Sequence, residues 1–236
     1  MTKLTLRPSD ERGHSQMGWL DSRFSFSFAD YHDPAHMGFR ALRVINDDHI
    51  AEGGGFSMHP HRDMEIVTYV IEGSLAHKDS LGTGSVIVPG EIQRMSAGTG
   101  IRHSEFNAGD KPLHLLQIWI IPKEPGGAPS YAQKTIDQAS VTGRFGVIAS
   151  PEGGNGAVDL KQDTVIWLAK LAKGQVADFD LKPSRGAWAQ VVRGAVTLGG
   201  QRLSAGDGAN WTDAGLARFE ANDDSEILLF DLAEFD

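Results

Sequence analysis

His59-Pro60-His61 and His103-Ser104-Glu105 each set two metal-binding side chains two residues apart. Along a strand, residues i and i+2 point to the same face, so each pair projects together from one side of a sheet. On neighbouring strands the two pairs would bring three imidazoles and one carboxylate to one point. That donor set suits a borderline divalent ion such as Fe(II), Ni(II), Cu(II), Mn(II) or Zn(II), and suits Mg or Ca poorly. Four protein ligands leave two positions of an octahedron open, one for a substrate and one for dioxygen or water. Neither pair is sufficient alone, because His-x-His recurs by accident and an isolated surface His is the usual outcome. The chain has no Cys, which removes disulfides, thiolate metal sites, iron–sulfur clusters and a cysteine nucleophile. All nine His lie between His14 and His114, so only the first half can offer imidazoles.

The elements that must carry these pairs read as short strands punctuated by Gly, Pro, Asn and Asp. Residues 23–28 alternate Phe and Ser with period two, and 38–45, 64–71, 85–88 and 113–121 are apolar runs of strand length. Asn46-Asp47-Asp48 reads as a turn, and 130–139 is the segment most like a helix. In the second half, 163–171, 174–181, 188–192, 195–198 and 226–232 also read as strands. Two stretches echo each other in order: Tyr69 to Gly73 followed by Val86 to Glu91, and Gln190 to Gly194 followed by Arg202 to Asp207. The echo suggests an internal duplication. The pattern predicts an all-β architecture of two barrels, residues 1–122 and 145–236, joined by a crossover at 123–144.

Whole-chain composition narrows the function classes. Of 236 residues, 28 are Gly, and the net charge is −9 without a basic run, which argues against nucleic acid as a partner. No run of 18 apolar residues offers a membrane span. The start is polar rather than signal-like, so a cytoplasmic location is expected. Gly98-Thr-Gly100 lacks the third glycine and helix of a dinucleotide fingerprint, and no Gly-x-Ser-x-Gly elbow opens a helix.

The series Gly53, His59, His61, Glu65, Gly73, then Pro89-Gly90-Glu91 and His103-Ser-Glu-Phe-Asn107, resembles the two motifs of the cupin superfamily. Trp19-Leu-Asp-Ser22, Phe26-Ser-Phe-Ala-Asp-Tyr31, His59-Pro-His-Arg-Asp-Met-Glu65 and Ser96-Ala-Gly-Thr-Gly-Ile-Arg-His-Ser-Glu105 resemble the pirin family, and most of all its bacterial members with quercetin 2,3-dioxygenase activity. The resemblance implies a bicupin, two double-stranded β-helix (jelly-roll) barrels packed together. It implies an N-terminal barrel holding one divalent transition metal through His59, His61, His103 and Glu105, and a C-terminal barrel without metal ligands. Fe(II) is the metal it most suggests, with Cu, Ni, Mn, Co and Zn as alternatives. It further implies cleavage of a flavonol heterocycle with O2 and release of CO, with Glu105 as ligand and proton acceptor. Two other activities stay open: a cupin oxygenase for another aromatic substrate, and an iron-bearing regulator that binds a protein partner.

Several residues keep two readings. General cupins take a carboxylate ligand from about the position of Glu65, whereas pirins use the later acid, which leaves Glu65 beside the ligands or purely structural. Asp63 either orients a ligating His through its distal N–H or pairs with Arg62 at the surface. His77 and His114 read as core or rim histidines. Phe24, Phe26, Phe28 and Phe56 read as core, with one or two of them free to face a pocket and hold a flat aromatic ligand.

Overall fold

The computed structural model describes residues 3–235. The first half contains β1 (Thr5–Arg7), β2 (Gly13–Met17), β3 (Leu20–Phe24), β4 (Leu42–Ile50), β5 (Gly55–His61), β6 (Glu65–Glu72), β7 (Leu75–Asp79), β8 (Gly84–Ile87), β9 (Glu91–Ser96), β10 (Ile101–Asn107), β11 (Leu113–Ile120) and β12 (Ser130–Thr135). After the single turn α1 (Gln138–Val141) come β13 (Gly146–Ser150), β14 (Val158–Asp159), β15 (Thr164–Leu171), β16 (Val176–Leu181), β17 (Gly186–Arg193), β18 (Ala195–Leu198), β19 (Gln201–Ser204), β20 (Gly208–Trp211), β21 (Gly215–Ala221) and β22 (Ser225–Leu232). Among the described residues no helix is long and apolar enough to cross a membrane.

Each half builds one large and one small sheet. In the first, the order β12-β9-β6-β11-β4-β3-β2 is complemented by β5-β10-β7-β8; in the second, β1-β20-β17-β22-β15-β13-β14 is complemented by β16-β21-β18-β19. The central strands occupy corresponding places, β6 with β17, β11 with β22 and β10 with β21, so the echo in the sequence corresponds to a repeated topology. These are two cupin barrels.

Strand alternation sorts the side chains. Along β6, Val67, Tyr69 and Ile71 face the other barrel, and they join Ile45, Ile118, Ile148, Leu168, Trp188 and Phe230 in one core shared by both halves. Trp188 is its largest member, with Phe26 at 4.8 Å and Phe39 at 6.2 Å between ring centroids. The two interiors then differ. The second barrel is filled by an apolar cluster that includes Phe179, Leu181, Ala217, Phe219 and Trp211. The first is apolar at one end, around Leu75, Ile87 and Leu113, and polar at the other.

Two sequence expectations change. The 130–139 segment is mostly strand: β12 pairs with the edge of β9, Tyr131 opposite Met95, and only Gln138–Val141 is helical, capped by Asp137 accepting from the Ala139 N–H at 3.0 Å. An open sheet edge offers these residues a full ladder, which one isolated turn of helix cannot match. Asn46-Asp47-Asp48 is not a turn but the middle of β4, where each acid finds a partner across the sheet. Across the two halves, β1 pairs with β20 (Leu6 opposite Ala209), and β12 extends the large sheet of the first half along β9.

Replacing Trp188 by Ala is expected to destabilise the protein by about 3–5 kcal/mol, the cost of a large unfilled cavity. Urea unfolding measures it, and a loss below about 1 kcal/mol would show that the two barrels do not depend on this shared core.

Candidate metal centre in the first barrel

β5 and β10 are antiparallel neighbours, with His59 opposite His103 and His61 opposite Ile101. The imidazole centroids stand 4.4 Å apart for His59 and His103, and 4.8 Å for each of the other two pairs with His61. One nitrogen from each of the three rings lies within 4.8 Å of the others. The register shifts by one between His103 and Glu105, so Glu105 faces Phe56. Ser57 and Met58 together oppose Ser104 and are both exposed, which is a β-bulge. Its effect is to turn both Phe56 and His59 into the barrel although they are three residues apart. A Cβ at Gly55 would run into the carbonyl of Glu105, so the strands approach this closely only with glycine there.

His103 is 1% and Glu105 2% exposed, and His103 Nε2 and Glu105 Oε1 have no hydrogen-bond partner. Leaving a buried polar atom unpaired costs about 1–3 kcal/mol. A cation about 2.0–2.2 Å from imidazole nitrogen and carboxylate oxygen is one partner that both can share. His59 Nδ1 donates to the Ser57 carbonyl at 2.7 Å, which leaves its Nε2 with the lone pair. The residues therefore fit a divalent transition ion. His77, His103 and Glu105 form a second group within 4.8 Å, so His103 is the member shared by both.

Glu105 is oriented from behind. Thr68 Oγ1 donates to Gln117 Oε1 at 2.9 Å, which directs the Gln117 amide nitrogen to Glu105 Oε2 at 2.8 Å. Ser22 donates to Asp48, a buried acid of β4 lining the same cavity. Burial pushes the Glu105 carboxyl up to about 8, with the Asp48 charge adding and Gln117 opposing. Asp48 rises to about 7, mainly by burial, opposed by the Ser22 hydrogen bond and reinforced by the Asp47 charge. Burial drives His103 down to about 2 and His61 to about 4, with neighbouring imidazoles adding to both. Without a cation His61 and His103 thus favour their neutral form, and Glu105 and Asp48 hold their protons more tightly than ordinary carboxyls.

The cavity above these residues has a volume of about 470 Å³ and is walled by Leu20, Phe24, Phe28, Phe56 and Trp119. Small-molecule sites typically span roughly 300–1,000 Å³. Trp119 stands edge-on to His61 at 4.9 Å, and Phe28 edge-on to Trp119 at 5.3 Å. Phe24 and Phe28 face this cavity while Phe26, between them, enters the core shared with the second barrel.

The two other acids singled out in the sequence lie elsewhere. β5 ends at His61 and Asp63 has a positive φ of 48°, so alternation does not carry from His61 to Glu65. Glu65 shares the β6 face of Val67 and Tyr69, towards the second barrel, accepting from Ser96 Oγ at 2.9 Å and the Lys161 N–H at 3.2 Å. Asp63 accepts from the Gly126 N–H at 2.6 Å and from Arg62 at 3.2 Å. It ties the crossover to the 98–99 loop, where a Cβ at Gly98 would collide with the Gly127 carbonyl. Neither acid bonds to a histidine of the site.

Sequence reasoning missed Asp48 and Gln117 and placed His77 among core or rim histidines. For Gln117 the available signal was its place between Leu116 and Ile118 in a long apolar run, whereas Asp48 lies between Asp47 and His49 and carried no such signal. A third group, Asp47, His49 and His114, lies on the outer face of β4 and β11. Its imidazoles stack at 3.9 Å and 18°, so their in-plane lone pairs run side by side, and Asp47 is already held by Arg12 at 2.9 Å and His114 at 2.7 Å.

Comparison with known proteins agrees with this architecture. The family model described as Pirin matches residues 5–120, and that of the Quercetinase C-terminal cupin domain matches 147–232. A protein of Escherichia coli (strain K12) named Quercetin 2,3-dioxygenase is 48% identical over 228 residues, covering 96% of this chain and 97% of its own. A Pirin-like protein of Caulobacter vibrioides is 40% identical, covering 96% and 98%. Among solved structures, the bacterial pirin YhhW from Escherichia coli in complex with nickel(II) matches with a TM-score of 0.93 at 46% identity, over 98% of this chain and 100% of that one.

The raised carboxyls have a defined consequence for metal-free protein. A buried acid whose folded pKa exceeds its unfolded value of 4.5, as for Glu105, stabilises the fold at low pH and loses that contribution as pH rises through about 8. The depressed imidazoles act in the opposite sense, but only below their unfolded value of 6.5. From pH 6.5 to 8.5, metal-free protein is therefore expected to lose stability, and Glu105→Gln to lose less. Urea midpoints at the two ends test this; equal slopes would mean that Glu105 is ionised throughout.

Proposed function

The chain belongs to the pirin family of cupins, and on that premise we propose that it is a metal-dependent oxidoreductase that cleaves the heterocycle of flavonols such as quercetin with O2, releasing CO. The observation that carries the proposal is the triad His59, His61 and His103, to which Glu105 is joined through their shared neighbour His103, with unpartnered atoms on His103 and Glu105, beside an aromatic-walled cavity lined by His59, His61 and Glu105. The Escherichia coli relative named for this activity supports the substrate class. The nickel(II) bound by YhhW supports a single divalent ion, with iron(II), copper, manganese, cobalt and zinc as the other ions this donor set accepts.

A divalent transition metal held by the four residues supplies Lewis-acid polarisation of a substrate hydroxyl and a redox path to dioxygen. The protein supplies the rest. Phe24, Phe28 and Trp119 provide flat apolar walls that orient a planar aromatic and exclude water. Glu105, which a bound cation would hold ionised, is the carboxylate placed to take the proton of the flavonol 3-hydroxyl, while Gln117 fixes its Oε2. Its burial favours holding that proton, as a general base requires. Oxygen attack and loss of CO then occur on a substrate anion whose position the cavity has restricted.

His61→Ala is expected to abolish stoichiometric metal, and Glu105→Gln to retain part of it while losing roughly 10²–10⁴ in turnover. Metal content and aerobic CO release from quercetin, measured on protein reconstituted separately with each ion, check both expectations. Wild-type metal content in both variants would overturn the ligand assignment. One metal per chain with no turnover of any flavonol would overturn the substrate, and point to an oxygenase of other aromatics or a metal-bearing partner-binding protein.

A further inference from the structure

His77 lies beside the site, yet both its nitrogens are engaged. Strand pairing sets His77 opposite Glu105 and Asp79 opposite His103. The His77 and Asp79 side chains have no exposed surface, and His77 Nε2 lies 3.1 Å from Asp79 Oδ2. His77 Nδ1 lies 3.5 Å from His103 Nδ1. Tyr131 covers the His77 ring at 4.9 Å between centroids, and its hydroxyl is fixed by Ser85 at 2.5 Å and Gln133 at 2.9 Å. Asp79 cannot turn away, because its Oδ1 accepts from the Leu81 and Thr83 N–H groups at 2.9 and 3.0 Å.

We propose that Asp79, acting through His77, holds His103 in the tautomer that leaves Nε2 free for a cation. The proposal rests on the metal-centre reading above. The carboxylate accepts, so the His77 hydrogen sits on Nε2 and its Nδ1 carries a lone pair. That lone pair can face His103 Nδ1 only if His103 carries its hydrogen there. The remaining nitrogen, His103 Nε2, is the buried atom without a partner. A neutral imidazole left to itself exchanges between two tautomers, and one of them blocks the ligand position. His77 and Asp79 are positioning residues, and their effect is to remove that competition.

Asp79→Asn inverts the chain of hydrogen bonds. The two backbone N–H groups keep the amide oxygen at the Oδ1 place, so the NH2 group faces His77. His77 then carries its hydrogen on Nδ1 and donates to His103 Nδ1, which forces the hydrogen of His103 onto Nε2. Long-range ¹H–¹⁵N correlation spectra of metal-free protein read the tautomers directly. Nickel(II) titration reads affinity, expected to fall roughly 10–100-fold in Asp79→Asn. In the double variant Asp79→Asn, His77→Phe, no ring nitrogen transmits the inversion, so affinity should partly recover; a merely structural role predicts a further loss.

His103 protonated on Nδ1 in the wild type and on Nε2 in Asp79→Asn, with partial recovery in the double variant, is the expected result. His103 protonated on Nε2 in the wild type, or the same tautomer in both proteins, would overturn the proposal. Should Asp79→Asn fail to fold, His77→Phe alone decides it. Removing the acceptor must then produce a mixture of His103 tautomers, and an unchanged single tautomer would overturn it. If the tautomers respond as expected and wild-type protein binds no nickel, the relay stands and the metal-centre reading is what falls.

Discussion

Everything at the site depends on the antiparallel pairing of Gly55–His61 with Ile101–Asn107, which sets His59 against His103. Backbone hydrogen bonds between two strands about forty residues apart in the chain bring the imidazoles together. The bulge at Ser57 and Met58 then adds Phe56 to the same interior, and Gly55 permits the close approach that the bulge requires. A one-residue slip would send both histidines of β5 to the outside. The rest of the first barrel maintains this register and provides the cavity.

The cost of the arrangement is visible in the charges. Four imidazoles, Glu105 and Asp48 share an interior where water is largely excluded, and burial pulls each perturbed group towards its neutral form. The raised carboxyls oppose the metal-free fold near neutral pH, and a bound cation would offset this by holding Glu105 ionised. The second barrel shows the alternative solution for the same topology. Aligning β16 and β21 with β5 and β10 by their pairing registers puts Phe179, Leu181, Ala217 and Phe219 where His59, His61, His103 and Glu105 stand. Those residues close the interior with apolar packing. One barrel spends its interior on chemistry, while the other is a packed partner whose outer sheet shares the central core.

The fold was legible where pattern and local chemistry agree. The runs around β6, β11, β15 and β22 are apolar and of strand length, and the repeated strand-glycine-strand order anticipated the duplicated topology. Legibility failed where long-range partners override local preference. Asn46-Asp47-Asp48 has the composition of a turn, yet Ser22 and His114 from neighbouring strands, and Arg12 from the segment before β2, reach these acids and keep them in β4. Residues 130–135 take strand form because β9 presents an open edge.

The sequence by itself determined the donor types, their i, i+2 spacing and their confinement to one half, because residue identity and strand period are local properties. It also determined that no thiolate could take part. Only the tertiary structure decided which acids stand near the histidines. The face that Glu65 takes follows from a turn at Asp63, and the approach of Asp48, Gln117 and His77 follows from which strands lie side by side. Distances between residues far apart in the chain are set by sheet order and register. Those are cooperative outcomes of packing the whole barrel, which no short stretch of residues encodes.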